Sequence, residues 1–425
     1  MKKKKILIIS YSYPPANIPA AQRPYSIAKY LDKKKFDVTV LTCGNQDSAL
    51  GFDSNFNEKL MDVKLIKING IKIPVKRNIA KKGKLKKQKF TAKIKQFIVK
   101  ILSVFLIPDK AILWYPAVLK YIKNNNFDYD IVFSTSPAFT NHLIASKIIK
   151  KESNKNIKWI SDFRDYHYLH NKKNQSLFQK FINKRLEKNV IKNTDKITFI
   201  SKAMKEEYAK HYKNHSSKFY TIYNGYDISE YTENKIPLQN DTLSIFYAGS
   251  FYKGVRDPMP LFNTLENLLN EGYIQPNKVK IEIAGNFEQE LINQIESLKI
   301  YNNINFLGQI PRSEVLKKYK TAHLLWLIVG DEISHFTGVP VKFYEYLLSG
   351  RPIINFGPLE SEPAKIINDL KIGWNFTNNN LTYNIELFKE IIDKFNKNLL
   401  NVSLDNKLIE KYSRKNQTKE LEKLF

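Results

Sequence analysis

The chain has 425 residues, 43% of them hydrophobic and 13% aromatic, which excludes a disordered protein and allows two domains of roughly 200 residues each. The single cysteine, Cys43, excludes a disulfide framework, and no apolar run reaches the roughly 18 residues of a membrane-spanning helix. The formal net charge of +28 favours anionic partners, whether nucleic acid, anionic lipid or phosphate-bearing substrates, and because Lys, Asn, Ile and Tyr are frequent throughout, its distribution matters more than its total.

Met1 leads into four lysines and ILIIS, an apolar run too short for a signal peptide. KILIIS (5–10) instead predicts a buried strand of a parallel sheet covered on both faces. The turn-rich loop YSYPPANIPAAQ follows, then a helix from about Arg23 to Leu31, then the strand VTVLT (38–42). This is a βαβ unit whose loop lies at the carboxyl end of its strand, where α/β sheets bind ligands. Gln22 and Arg23 stand at the start of its helix, and Arg23 either meets a phosphate or is solvated.

Residues 76–95 hold ten basic residues and no acidic one. Ile94, Phe97, Ile98, Ile101, Leu102 and Phe105 then follow the spacing of one helix face. A basic segment joined to an amphipathic helix reads as attachment to an anionic leaflet over 76–107. Packing of the stripe on the domain's own sheet is the alternative. Nucleic acid is disfavoured, because aromatic residues are not interleaved with the lysines.

DYD (128–130) leads straight into the strand IVFST (131–135) and reads as a strand edge. His142 falls in the first turn of the next helix, on the ligand side of a parallel sheet. In KWISDFRDYHYLH (158–170) a strand ends in Asp162, Arg164 and Asp165. Charges there cost desolvation unless paired or used, so the cluster is a candidate site or a local Arg164–Asp165 pair. A strand KITFIS (196–201), the turn Asn224-Gly225 within NGYD, and the polar stretch ENKIPLQND (233–241) close the first half.

The second half restarts with LSIFYAG (243–249), followed by a loop with Lys253 and Arg256 ahead of a helix from about Met259. Basic residues before a helix N-terminus suit a pyrophosphate. Strands follow at KIEIAG (280–285), NINFLG (303–308), LLWLIVG (324–330) and IINFG (353–357). In TGVPVKFYEYLLSGRPIINFG (337–357) a tight entry at Gly338 opens a helix that Gly350 and Pro352 end. Glu345 lies in that helix, either as a surface residue or as an acceptor for ligand hydroxyls. The strand order supports two Rossmann-like, doubly wound α/β domains facing a central cleft. The boundaries fall at 1–234, a linker at 235–241, 242–403, and a terminal helix at 404–425. One cysteine and scattered histidines offer no metal-ligand spacing, so neither a metal nor a cofactor is expected.

Residues 337–357, 158–166, 224–227 and 249–258 together resemble the GT-B-fold glycosyltransferases of retaining family 4, in particular a subgroup of bacterial cell-envelope enzymes. In that family two glutamates stand eight positions apart. Glu345 matches the second, which accepts from the nucleotide ribose, while Thr337 stands in place of the first. The resemblance implies donor contacts at Gly249, Lys253, Arg256, Thr337, Gly338, Val339, Pro340, Lys342 and Glu345. It places Asp165 and Arg164 at the catalytic cleft and Gln22, Arg23 and Asp162 on the acceptor side, while His142 is a further catalytic candidate from its position alone, with a structural role as the alternative. Ser250 replaces the family's usual Arg after the glycine, so Lys253 and Arg256 carry that charge. The implied reaction moves a sugar from a nucleoside diphosphate to a hydroxyl of a glycan or lipid-linked acceptor. The implied location is the cytoplasmic face of the membrane. A sugar-nucleotide epimerase of the same fold, or a basic non-enzymatic scaffold, are the competing readings.

Overall fold

The computed structural model describes all residues except 1, 17, 47–59, 61, 72–105, 172–174, 231–237, 239–240, 252–254, 288 and 403–404. Most of the basic segment 76–107, most of the 235–241 stretch, and Lys253 therefore lie outside the described residues. The described chain divides into two compact units. The first comprises Met1–Ile200, Lys205–Ile222 and Thr418–Phe425, and the second Ser201–Met204 and Tyr223–Gln417.

The first unit holds seven parallel strands: β1 (Lys4–Ile9), β2 (Phe36–Cys43), β3 (Val63–Ile68), β4 (Ile131–Thr135), β5 (Lys158–Phe163), β6 (Lys196–Phe199) and β7 (Phe219–Thr221). Their order is β3-β2-β1-β4-β5-β6-β7, so the order reverses between β1 and β4. Consecutive residues of β1 from Ile6 to Ile9 are all fully buried, as strands covered on both faces require. The C-terminal Phe425 packs edge-on against Phe36 and Phe133 at centroid distances of 5.7 and 6.3 Å.

The second unit holds six parallel strands: β8 (Leu243–Ala248), β9 (Val279–Ala284), β10 (Ile304–Gly308), β11 (Leu324–Ile328), β12 (Ile353–Phe356) and β13 (Gly373–Phe376). The order β10-β9-β8-β11-β12-β13 reverses between β8 and β11. Alternation along the strands builds two cores. Leu324, Trp326 and Ile328 of β11 join one, and Leu325 and Leu327 join the other. Among the described residues no helix is long and apolar enough to cross a membrane.

Two boundaries differ from the sequence reading. The chain leaves the first unit at Ile222, before the polar stretch at 233–241. The NGYD run is tied to the second unit by backbone hydrogen bonds, from Tyr226 N–H to the Tyr412 carbonyl at 3.0 Å and from Arg414 N–H to Tyr226 at 2.7 Å. The terminal segment is two helices, Asn406–Glu410 and Arg414–Glu422.

Candidate active site

In each sheet the strand order reverses at one point, and in open α/β sheets ligands bind at the carboxyl ends of the strands that flank such a point. In the second unit those strands are β8 and β11. Gly249 follows β8 with φ of 150°, and Gly285 follows β9 with φ of 147°, both in the region that side chains avoid. A methyl group on Gly285 would lie 2.1 Å from the Gly249 carbonyl oxygen, and one on Gly249 would lie 2.8 Å from Lys342 Nζ. The two glycines let the turn close around the lysine. Gly285→Ala should therefore destabilise the protein by about 1–3 kcal/mol through backbone strain, with further loss from the clash, measured by urea unfolding. A change within about 0.5 kcal/mol would mean that the turn can reshape.

The helix Val341–Ser349 enters from Pro340 and ends at Gly350. It buries Phe343, Tyr344, Tyr346 and Leu347, leaving Lys342 and Glu345, three apart, on one edge. The Lys342 ammonium sits 4.0 Å above the Tyr247 ring. Burial, reinforced by the neighbouring Arg256 charge and only partly offset by Glu345, pushes its pKa down to about 7. Two cations held together against a desolvation cost are a stability liability unless an anion completes the site.

Glu345 is mostly buried and pairs with Arg312 at 2.9 Å. The Tyr319 hydroxyl also engages it, and burial together with the Glu345 charge lifts that phenol's pKa. The carboxylate is thus neither a solvated surface group nor loosely placed. Arg312 and Tyr319 lie on the helix Arg312–Thr321 and were not anticipated, because nothing in their own segment marks them as partners of a carboxylate on another helix.

The remaining residues of the 337–340 entry take structural places. The Thr337 hydroxyl donates to the Ile333 carbonyl at 2.6 Å, and the Thr337 carbonyl accepts from the Ser201 hydroxyl. Its side chain is buried at the end of the short helix Ile333–Phe336. Val339 packs into the core, and Gly338 and Pro340 form the half-buried entry.

In the first unit the predicted charges are brought together for a different purpose. The helix expected from about Arg23 starts earlier, at Pro19, and contains Pro24. Arg23 is buried and donates from Nε and Nη2 to the two Asp162 oxygens at 2.9 and 2.8 Å. Thr135 and Thr198 hydroxyls donate to the same carboxylate at 2.6 and 2.7 Å. Burial alone would lift the Asp162 pKa, but Arg23 first, then Arg164 and Thr135, hold it below the ordinary range. Arg23 and Asp162 therefore form a buried internal pair, and Arg23 is not a solvated helix residue. Gln22 is half-buried beside them in sequence, and its carbonyl accepts from Ser26.

Arg164 is buried as well, and it donates to the carbonyls of Ser136, Pro19, Ala20 and Pro137 at 2.5 to 3.4 Å. Pro24 has no N–H for the Ala20 carbonyl four residues back, and the guanidinium supplies the missing donor. Burial lowers the Arg164 pKa to about 10, leaving it charged at neutral pH. It ties the loop after β4 to the first turn of the helix that starts at Pro19, rather than pairing with Asp165. Asp165 itself is exposed just beyond β5.

His142 is fully buried, stacked on Phe163 at 5.0 Å and hydrogen-bonded through Nδ1 to Ser134 at 2.8 Å. Burial lowers its pKa to about 3, so it stays neutral, and no part of its side chain is exposed beside the sheet's carboxyl end. Sequence spacing also concealed one cluster: His170, Glu207 and His211 offer ligand atoms within 4.8 Å of one another. Glu207 is already held by His170 at 2.9 Å and Lys210 at 2.9 Å, and the His211 Nδ1 contacts the Glu207 carbonyl at 3.0 Å, an arrangement sufficient as an ion-pair cluster.

Residues 20–230 match the family model Glycosyltransferase Family 4, and residues 233–415 match Glycosyl transferases group 1. No curated protein matches in sequence. The fold is similar to that of sucrose-phosphate synthase from Thermosynechococcus elongatus, at 12% identity and a TM-score of 0.60 over 99% of this chain and 98% of that one. It is similar to the lipopolysaccharide outer core galactosyltransferase WaaB at 17% identity and a TM-score of 0.57, covering 98% of each chain. It is also similar to WaaG, a glycosyltransferase involved in lipopolysaccharide biosynthesis, at 12% identity and a TM-score of 0.55 over 98% and 95% of the two chains. With two glycosyltransferase models taking in nearly the whole length, and a double Rossmann-like fold shared with solved enzymes of that kind, the chain belongs to the GT-B glycosyltransferases.

Proposed function

We propose that the protein transfers a hexose or N-acetylhexosamine from a nucleoside-diphosphate donor to a hydroxyl of a lipid-linked glycan. The transfer would retain the anomeric configuration, at the cytoplasmic face of the membrane, in cell-surface polysaccharide synthesis. The observation that carries this reading is the pairing of Lys342 with Arg256 beside the Gly249 turn, with Glu345 three residues from Lys342 on the same helix. As the bond from the anomeric carbon to the diphosphate breaks, negative charge grows on the leaving oxygen, and the two cations stand ready to neutralise it. Arg312 and Tyr319 aim the Glu345 carboxylate, which leaves it able to accept from a ribose hydroxyl. Lys253, outside the described residues, remains part of the proposed diphosphate contact. The segment 76–107 is proposed to meet anionic lipid, and no metal or cofactor is invoked.

Glu345→Ala should weaken nucleoside-diphosphate binding by roughly 1.5–3 kcal/mol for each charged hydrogen bond lost, measured by calorimetry. Unchanged affinity would reduce Glu345 to a partner of Arg312 and remove it from the site.

A further inference from the structure

The helix Leu177–Asn193 is fixed at its start by a reciprocal cap. Gln179 N–H donates to the Ser176 hydroxyl at 3.2 Å, and Ser176 N–H donates to the Gln179 side chain at 2.9 Å. Yet this ordered first turn displays Leu177, Phe178 and Phe181 at 85%, 59% and 61% exposure, three large apolar side chains within five residues. The inner face is conventional, burying Asn183, Glu187, Val190 and Ile191. Glu187 is the helix's single acidic residue, and it is turned inward to accept from the Tyr168 amide and the Tyr208 and Tyr212 hydroxyls. Lys180, Lys184, Arg185, Lys188 and Lys192 are all exposed, so the outer face is apolar at one end and uniformly cationic along the rest.

We propose that this helix docks the first unit on an anionic lipid surface, with Leu177, Phe178 and Phe181 entering the acyl boundary and the cations lying among the headgroups. An exposed apolar cluster costs solubility without a partner, and the flanking charge selects which partner fits. A second copy of the chain would set these five cations against their own image. A nucleic acid would favour aromatics interleaved with the cations, whereas here they are gathered at one end and joined by a leucine. The inference rests on the membrane-facing part of the proposed function, adds a docking element distinct from 76–107, and does not depend on the sugar donor.

The test is sedimentation of the full chain with phosphatidylglycerol-containing and with pure phosphatidylcholine vesicles, for wild type, L177S/F178S/F181S and K180Q/K184Q/K188Q. Wild type should bind the anionic vesicles selectively. At about 1 kcal/mol per basic residue, the lysine variant should bind about a hundredfold more weakly, and the serine variant at least tenfold more weakly. Both variants should keep wild-type melting, because every changed side chain is exposed. Both should also bind a nucleoside diphosphate as wild type does, so failure of the docking idea is separable from failure of the donor site. Wild type that ignores anionic vesicles, or variants that bind as wild type does, would overturn the proposal. Tighter retention on a single-stranded oligonucleotide than on vesicles would overturn it in favour of nucleic acid.

Discussion

Replacing Lys342 and Arg256 together by alanine is expected to lower kcat/KM between roughly a hundredfold and ten-thousandfold while leaving the melting temperature at or above the wild-type value. The first half follows from losing two charge-assisted contacts to the leaving diphosphate, each worth about 1.5–3 kcal/mol. The second follows from the free protein, where the two cations disfavour one another and burial depresses the lysine pKa to about 7. The same depression gives a pH signature. Below pH 7 the amine is already charged in the free protein, and affinity for a nucleoside diphosphate should be flat. Above that point binding must draw a proton onto the amine, so affinity should fall by up to about tenfold per pH unit, until the pKa of the complex is passed. Calorimetry in two buffers of different ionisation enthalpy would read that proton directly. A pH-independent affinity between 6 and 9 would remove Lys342 from the phosphate contact.

The second large effect belongs to the first unit. Arg23→Ala should destabilise the protein by about 3–5 kcal/mol, because it leaves the Asp162 carboxylate charged, buried and short of its main partner. Asp162→Asn should cost less than Asp162→Ala, since the amide still fills the space and can still accept from Thr135 or Thr198. Urea unfolding of the three variants checks both statements. A loss below about 1 kcal/mol for Arg23→Ala would show that water replaces the guanidinium, and would reopen the site to ligand.

These effects also show where the sequence was readable. The strands were legible because parallel sheets covered on both faces need unbroken apolar runs, and LLWLIVG or IVFST can scarcely be anything else. Lys342 and Glu345 were singled out by the family resemblance of 337–357, since a charge in a helix is otherwise as well read as a surface group, and three residues of spacing place them on one helix edge. The partners of such residues were not. Asp162 lies 139 positions from Arg23, and Glu345 lies 33 from Arg312, so no local pattern relates either pair. The charges at the end of β5 therefore read as a candidate site or a local Arg164–Asp165 pair, and the tie from Asp162 to Arg23 lay outside both readings. Arg164 shows the same limit. Its role follows from the carbonyl that Pro24 leaves without a donor, which is visible only once the two segments are packed together. Exposure was equally hidden, and a LFQKF turn would ordinarily be assigned to a core.

The central claim, that the second unit holds a nucleoside-diphosphate sugar between the Gly249 turn and the helix Val341–Ser349, is tested most directly by thermal unfolding against a panel of nucleotide sugars. At a hundred times its dissociation constant the true donor should stabilise the wild type by about 2.7 kcal/mol, and the same ligand should leave the Lys342→Ala, Arg256→Ala double variant unshifted. A panel in which no nucleotide sugar moves the wild-type transition, or in which the double variant shifts as far as wild type, would contradict it.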